Sequence, residues 1–286
     1  MNGSFWGRAR QHASFVIGCA LTLLMVAAAA LSLVWQPYPP GDINIPNKLA
    51  PPSAAHWLGT DTLGRDLASQ LLVGTQNSIA VGLVAVGIGL LLGVGLGCIA
   101  AASAVSTGRG RGLLDELIMR ACDFGFAFPA LLSAIMLTAI YGPGLLMSIV
   151  AIGIFNIPVF ARITRTAAAS VWARDFVTAA RAAGKGPLAI TRDHVLPNIA
   201  SPLIVQATIS FATAILAEAA LSYLGLGTQP PQPSWGRMLN DAQAQMFQAP
   251  ILALWPGAAI MLSVLGLNLM GDGLRDLWDP RLARQR

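Results

Sequence analysis

The chain has 286 residues, of which 55% are hydrophobic and 11% charged, with a formal net charge of +5 and a mean hydropathy of +0.63. Soluble domains carry roughly 25% charged residues, so a globular surface of this size could not be solvated, and intrinsic disorder is excluded by the same apolar excess. Glycine, at 29 residues, has no three-residue period and cysteine numbers only 3, which excludes collagen-like and disulfide-scaffold chains and leaves an integral membrane protein, all-α and polytopic by the spans its apolar runs define.

The first element is residues 13–34, free of charge for 22 positions. About 20 helical residues cross a hydrocarbon core of ~30 Å, whereas a cleaved signal peptide has an apolar core of only about 7–15; the alanine run at 27–30 is its one signal-like feature. Further charge-free runs follow at 67–108, 124–161, 195–217 and 242–271. The 124–161 run is too long for one span, and Tyr141-Gly142-Pro143-Gly144 supplies turn chemistry that divides it. Six transmembrane helices are expected, at about 13–34, 77–102, 125–140, 145–161, 199–222 and 250–271, because lipid satisfies no unpaired backbone group. The resulting organisation is a cytoplasmic N-terminus at 1–12, a first span at 13–34, a periplasmic segment at 35–76, a five-helix core at 77–271 containing a long loop at 162–198, and a cytoplasmic C-terminus at 272–286.

Six crossings put both termini and the segments 103–124 and 162–198 on one side. That side holds fifteen of the 18 Lys and Arg residues, and the other holds Lys48, Arg65 and Arg237. The positive-inside rule makes the first side cytoplasmic. Because the basic residues are spread over four segments, the pI of about 9.6 reflects topology, not a nucleic-acid-binding face.

Cys19 and Cys98 fall within spans and Cys122 at a span end, without CxxC spacing, and read as small buried hydrophobes. His12, His56 and His194 stand in separate segments without a ligand-spaced companion, so no metal site is expected. Gly184-Lys185-Gly186 lacks the upstream Gly and following Ser/Thr of a phosphate-cradling loop, and neither GxSxG nor HExxH occurs. Only Glu218 lies well inside a span, whereas ion-driven carriers show several intramembrane ionisable groups. No enzymatic activity and no bound cofactor are therefore expected. Transport is either passive or powered by another subunit.

The 162–198 loop has internal order. Residues 171–183 are alanine-rich with good helix propensity, and Phe176, Ala179, Ala180 and Ala183 recur at helical spacing on one small, apolar face. Gly184 stands where a left-handed helix end belongs, and Pro187 suits the first turn of a second short helix ending before Pro197. Such a two-helix knob suits docking into a protein groove. The alternative is a helix lying on the lipid surface with Arg174, Arg181 and Lys185 toward headgroups.

Other candidates have two readings each. Gly89, Gly93 and Gly97 form a doubled GxxxG, which favours close helix packing over lining a pathway. Glu218, near the end of the fifth span, is costly in lipid and faces an interface, a cavity or substrate. Asp61, Arg65 and Asp66 form loop-internal ion pairs or touch a partner. Pro230, Pro231 and Pro233 stiffen the last loop, and Trp235 and Trp255 are candidate interfacial anchors.

The string Asp175-Phe-Val-Thr-Ala-Ala-Arg-Ala-Ala-Gly184, with Ile190 and His194-Val-Leu-Pro-Asn198, resembles the EAA loop of ABC-transporter permeases, in particular the DppC/OppC-like peptide/nickel importer permeases. Four further segments agree in order between about residues 56 and 280: His56-Trp-Leu-Gly-Thr-Asp-Thr-Leu-Gly-Arg-Asp66 with Asn77-Ser78 and Gly82; Asp123 through Ala127-Phe128-Pro129; Leu221-Ser-Tyr-Leu-Gly-Leu-Gly227 with Pro233-Ser-Trp-Gly236; and Asn268-Leu-Met-Gly-Asp-Gly-Leu-Arg-Asp276 with Asp279-Pro280. The resemblance implies a type I ABC importer permease fold in a bacterial inner membrane. It also implies a second, similar permease as partner, two ATP-binding subunits that use the ATP, and a periplasmic substrate-binding protein. The implied cargo is di- or oligopeptides, with nickel as the alternative inside the family and a stand-alone channel or secondary carrier outside it. By the same resemblance Thr178, Ala179, Ala180, Ala182, Gly184, Lys185, Leu188 and Ile190 are the ATPase-coupling residues, with Thr178 replacing the usual Glu.

Overall fold

Long uncharged runs that must satisfy their own backbone become helices, and helices dominate the described residues of the computed structural model of the chain. It describes residues 9–10, 12–105 and 112–278. Arg8, Arg109, Arg111, Arg281, Arg284 and Arg286, used above for orientation, and Asp279-Pro280 lie outside the described residues. In order, the helices are α1 (Ala13–Val34), α2 (Leu67–Ala104), α3 (Leu113–Ala127), α4 (Ala130–Tyr141), α5 (Leu145–Trp172), α6 (Asp175–Ala182), α7 (Pro187–Ile190), α8 (Leu196–Tyr223), α9 (Trp235–Gln243) and α10 (Ile251–Trp278), with a 3₁₀ turn at Ile45–Asn47 and a π turn at Thr191–Val195. Five of these are long and apolar enough to cross a membrane, and α3 with α4 forms one further pair bent by 83°.

The packing of α2 on α5 shows that the bent pair counts as a crossing. Gly89 abuts Asn156, Gly93 abuts Ile157 and Phe160, and Gly97 abuts Ala161 and Thr164. Residue numbers rise together along this contact, so α2 and α5 run parallel. The chain between them must return from one end of the bundle to the other, and only α3 and α4 are available. The start of α3 is held to the end of α5 by Asp115, which accepts from Arg165 Nε at 2.8 Å, and Asp123 pairs with Arg162. At the far end of the pair, Gly144 N donates to Leu226 O at 3.2 Å.

Several boundaries differ from those read from hydropathy. The third span, expected at 125–140, is broken at Phe128-Pro129, where proline cannot donate the bond that would continue α3 and disfavours helical geometry at Phe128, which turns extended (φ −102°, ψ 134°). The second span begins at Leu67 instead of 77, since Asp66 caps it by accepting from Ser69 N at 2.8 Å. The fourth runs on to Trp172 past its arginines, two of which find carboxylates on α3.

Two apolar cores result. One joins α2, α5 and α8 around Val81, Ala151, Phe160 and Ile199. The other joins α1, α8, α9 and α10 around Met25, Ile215, Trp235 and Leu267. The α1–α10 contact also relies on glycine: a Cβ at Gly266 would fall 2.7 Å from Leu21 Cβ, and one at Gly273 2.7 Å from Phe15. The GxxxG pattern of α2 was visible in sequence. This second close approach, with no four-residue repeat, was not.

Candidate functional site

The two-helix knob stands where α5 ends. Arg174 turns extended (φ −84°, ψ 148°) and starts α6, with Val177 N donating to Arg174 O at 3.0 Å. α6 closes in a Schellman arrangement. Lys185 N donates to Ala180 O at 3.1 Å and Gly184 N to Arg181 O at 2.9 Å, with Gly184 at φ +81°. Pro187 then opens α7, where its missing N–H costs nothing. The second short helix does not stop before Pro197 as expected. A π turn carries the chain directly into α8, and Asn198 Nδ2 donates to His194 O at 2.7 Å across the junction.

Val177, Ile190 and Val195 are buried in the α2–α5–α8 core, and Ala180 is half-buried against it. Arg181 lies over the Trp172 ring at 4.9 Å. Asp193 accepts from Lys185 Nζ at 3.1 Å and Arg192 Nε at 2.9 Å, tying the turn after α6 to the π turn. The surface left outward carries Phe176, Thr178, Ala179, Ala182, Ala183 and Gly184, with Leu188 at 88% exposure. The predicted apolar face is therefore split. Ala180 looks inward with Val177, while Phe176, Ala179 and Ala183 look outward. Ile190, expected among the docking residues, is 1% exposed and supports the knob from beneath. Val177 escaped the sequence reading because its inward face is a single i, i+3 pair.

At the opposite end, Asp61, Arg65 and Asp66 form part of a buried network. Asp61 accepts from Leu63 N, Arg65 N, Arg65 Nε and Gln70 Nε2 at 2.6–2.9 Å. Asp66 accepts from Ser69 and meets His56 Nδ1 at 3.0 Å. Arg65 reaches Asp241 on α9 at 3.1 Å, and Asp241 also pairs with Arg237 at 3.0 Å. Asp61 and Asp66 thus both have their acceptor capacity taken up internally. Trp235, considered as an interfacial anchor, is instead buried: its Nε1 donates to Leu71 O at 3.2 Å and its ring fills the space above Gly74. Asp241 is a further member of the network, and Arg237 with Asp241 at i, i+4 after the Ser234 cap is the sequence sign of α9.

Glu218 is fully buried. Its Oε1 accepts from Ser222 Oγ at 2.6 Å and Thr228 Oγ1 at 3.2 Å, and Ser222 Oγ accepts in turn from Thr228 N at 2.9 Å. The carboxylate thus fastens the turn after α8. Gly89, Gly93 and Gly97 all face α5, where added Cβ atoms would collide with its backbone and side chains. Among the described residues no group of three or more His, Cys, Asp or Glu converges as a metal site.

Residues 93–284 match the family described as "Binding-protein-dependent transport system inner membrane component". The glutathione transport system permease protein GsiD of Shigella flexneri serotype 5b (strain 8401) is 43% identical over 279 residues, covering 97% of this chain and 90% of its own. GsiD of Escherichia coli O157:H7 is 41% identical over the same extent. Among solved structures, the MetNI methionine ABC transporter, inward facing in its CY5 native crystal form, superposes with a TM-score of 0.61 at 18% identity, covering 73% of this chain and 97% of that one. The last likeness concerns fold alone.

Proposed function

The chain belongs to the binding-protein-dependent transport system inner membrane components, permease subunits of ABC importers, and from that premise we propose that it carries di- or oligopeptides inward, with the knob as its contact to an ATPase. The observation that carries the coupling role is the knob's construction. A surface of mostly small side chains, with Phe176 and a protruding Leu188, is anchored by Val177 and Ile190 in the core and tied by the Lys185–Asp193 pair. Small side chains allow a groove of another protein to close over them, and buried anchors transmit displacement into α5 and α8.

The remaining assignments rest on family membership and charge. A second permease, two ATP-binding subunits and a periplasmic binding protein complete the assembly. ATP is hydrolysed by the partner, and this chain binds no cofactor. Among the described residues, nine Lys and Arg gather at the knob end and three at the other, an asymmetry that supports a cytoplasmic knob and cytoplasmic termini under the positive-inside rule. The relatives' named cargo, glutathione, is a tripeptide and favours peptides over nickel.

The test is reconstitution of the permease pair with its ATPase and binding protein in liposomes. ATP-dependent uptake of glutathione or Ala-Ala-Ala, with none of Ni²⁺, is expected. Uptake without the ATPase would mean a channel or carrier, and uptake of Ni²⁺ alone would mean a metal importer.

A further inference from the structure

Two large clefts open along the membrane helices, and they differ in chemistry. One, of about 750 Å³ between α1, α2, α8 and α10, is aliphatic; Thr22 and Thr208 are its only polar side chains, and Thr208 spends its hydroxyl on Val205 O at 2.8 Å. The other, of about 660 Å³, lies at the α3–α4 break between α5 and α8. Its volume falls in the range of roughly 300–1,000 Å³ common for small-ligand sites.

The second cleft is lined from α8 by Gln206, Ser210 and Thr213, and from α5 by Asn156. Spacings of four and three put the α8 residues on one helix face. Polar side chains on a membrane helix face the bundle interior or a water-filled cavity, not acyl chains. None of the lining residues is ionisable. Gln206 Nε2 donates to Ser210 Oγ at 3.2 Å, which leaves the Gln206 carbonyl to accept and the Ser210 hydroxyl to donate. Asn156 Nδ2 donates to Ile152 O at 2.9 Å, leaving its own carbonyl oxygen as an acceptor. A buried free carboxylate, ammonium or metal ion requires charged or strongly ligating partners. The peptide group, with one donor, one acceptor and no charge, does not.

We propose that this cleft is a subsite on the translocation route that holds the backbone amides of the transported peptide, with Gln206, Ser210 and Asn156 as specificity-determining residues. The inference rests on the peptide-import reading. The open side of the cleft, rimmed by the exposed Leu131 and Leu216, is closed by the second permease.

The experiment uses the complete transporter in liposomes, with Cys19, Cys98 and Cys122 replaced. Thr213→Cys is expected to react with a charged, water-soluble methanethiosulfonate and to be protected during turnover with Ala-Ala-Ala. Leu83→Cys, in the aliphatic cleft, is expected to stay unreactive. Gln206→Leu is expected to lower Ala-Ala-Ala uptake at saturating loaded binding protein by roughly three- to tenfold, the loss of about one hydrogen bond, while binding-protein docking is retained. An unreactive Thr213→Cys, as lipid or a partner helix in the cleft would give, overturns the proposal, and so does reactivity without protection by peptide. Unchanged uptake by Gln206→Leu overturns it with the functional reading intact. Absence of peptide uptake by the unmodified transporter overturns both.

Discussion

A carboxylate inside a membrane helix persists only where donors reach it, and Glu218 shows how close to home those donors are. Ser222 lies one turn on, while Thr228 arrives through a reversal in which Gly225 takes φ +79°. The cost of the acid was legible in the sequence, and so was its i, i+4 serine. The threonine was not, because it depends on how the turn closes. Glu218→Leu is expected to strand the Ser222 and Thr228 hydroxyls in a buried site, at about 1–3 kcal/mol for each unsatisfied group. The measurement is a lower midpoint of thermal unfolding in detergent. Glu218→Gln keeps an acceptor at the same place and is expected to retain both stability and peptide uptake. A well-folded Gln variant that fails to transport would assign the charge itself a part in transport. Asp61 and Asp66 follow the same logic: the sequence offered loop pairing or partner contact, and the structure spends both carboxylates inside the loop and on the cap of α2.

Elements were easier to find than to bound. Hydropathy located every long helix. It missed the capped start of α2 and the charged ends of α3 and α5, whose ion pairs let helix continue where apolar residues stop. Pro197 predicts a helix stop before it, but a π turn at Thr191–Val195 carries the chain into α8, with Pro197 in the first turn of that helix. The close approach of α2 to α5 yields a direct test. Gly93→Val brings a Cβ within 2.6 Å of Ile157 O and Phe160 Cβ and is expected to cost about 1–3 kcal/mol by overpacking. Gly95→Ala on the same helix meets nothing within 4 Å and is expected to leave the thermal midpoint unchanged. In the knob, a Cβ at Gly184 also meets nothing within 4 Å, so only its left-handed backbone and whatever docks there resist substitution. Gly184→Asn tolerates that backbone and is expected to keep copurification with the ATPase. Gly184→Asp adds a charge to the outward face of the knob, and Leu188→Asp does so at a residue 88% exposed. Both are expected to insert normally yet lose ATP-dependent uptake. Normal uptake by both would remove the knob from coupling.

For the whole molecule, the decisive relation is the parallel run of α2 and α5. No local pattern encodes it, because it follows from which glycine meets which residue 60 to 70 positions away. It makes the bent α3–α4 pair a full crossing in spite of an α4 of only 12 residues, about 18 Å at the helical rise and short of a ~30 Å core. The remainder of the distance falls to α3, whose acids pair with α5. If the pair crosses once, the segment before α2 lies on the same side as the loop before α9, as the Arg65–Asp241 bridge requires, and the knob lies opposite. The test uses single cysteines at three exposed positions, Trp57→Cys, Gln232→Cys and Ala182→Cys, in a chain lacking Cys19, Cys98 and Cys122. A membrane-impermeant maleimide is applied to spheroplasts and to inverted vesicles. The first two sites are expected to label in spheroplasts, and Ala182→Cys only in inverted vesicles, as the distribution of basic residues dictates. A re-entrant α3–α4 pair would instead give Trp57→Cys the same accessibility as Ala182→Cys. A full reversal, with Ala182→Cys alone labelled in spheroplasts, would turn the knob away from ATP and end its assignment as the motor contact.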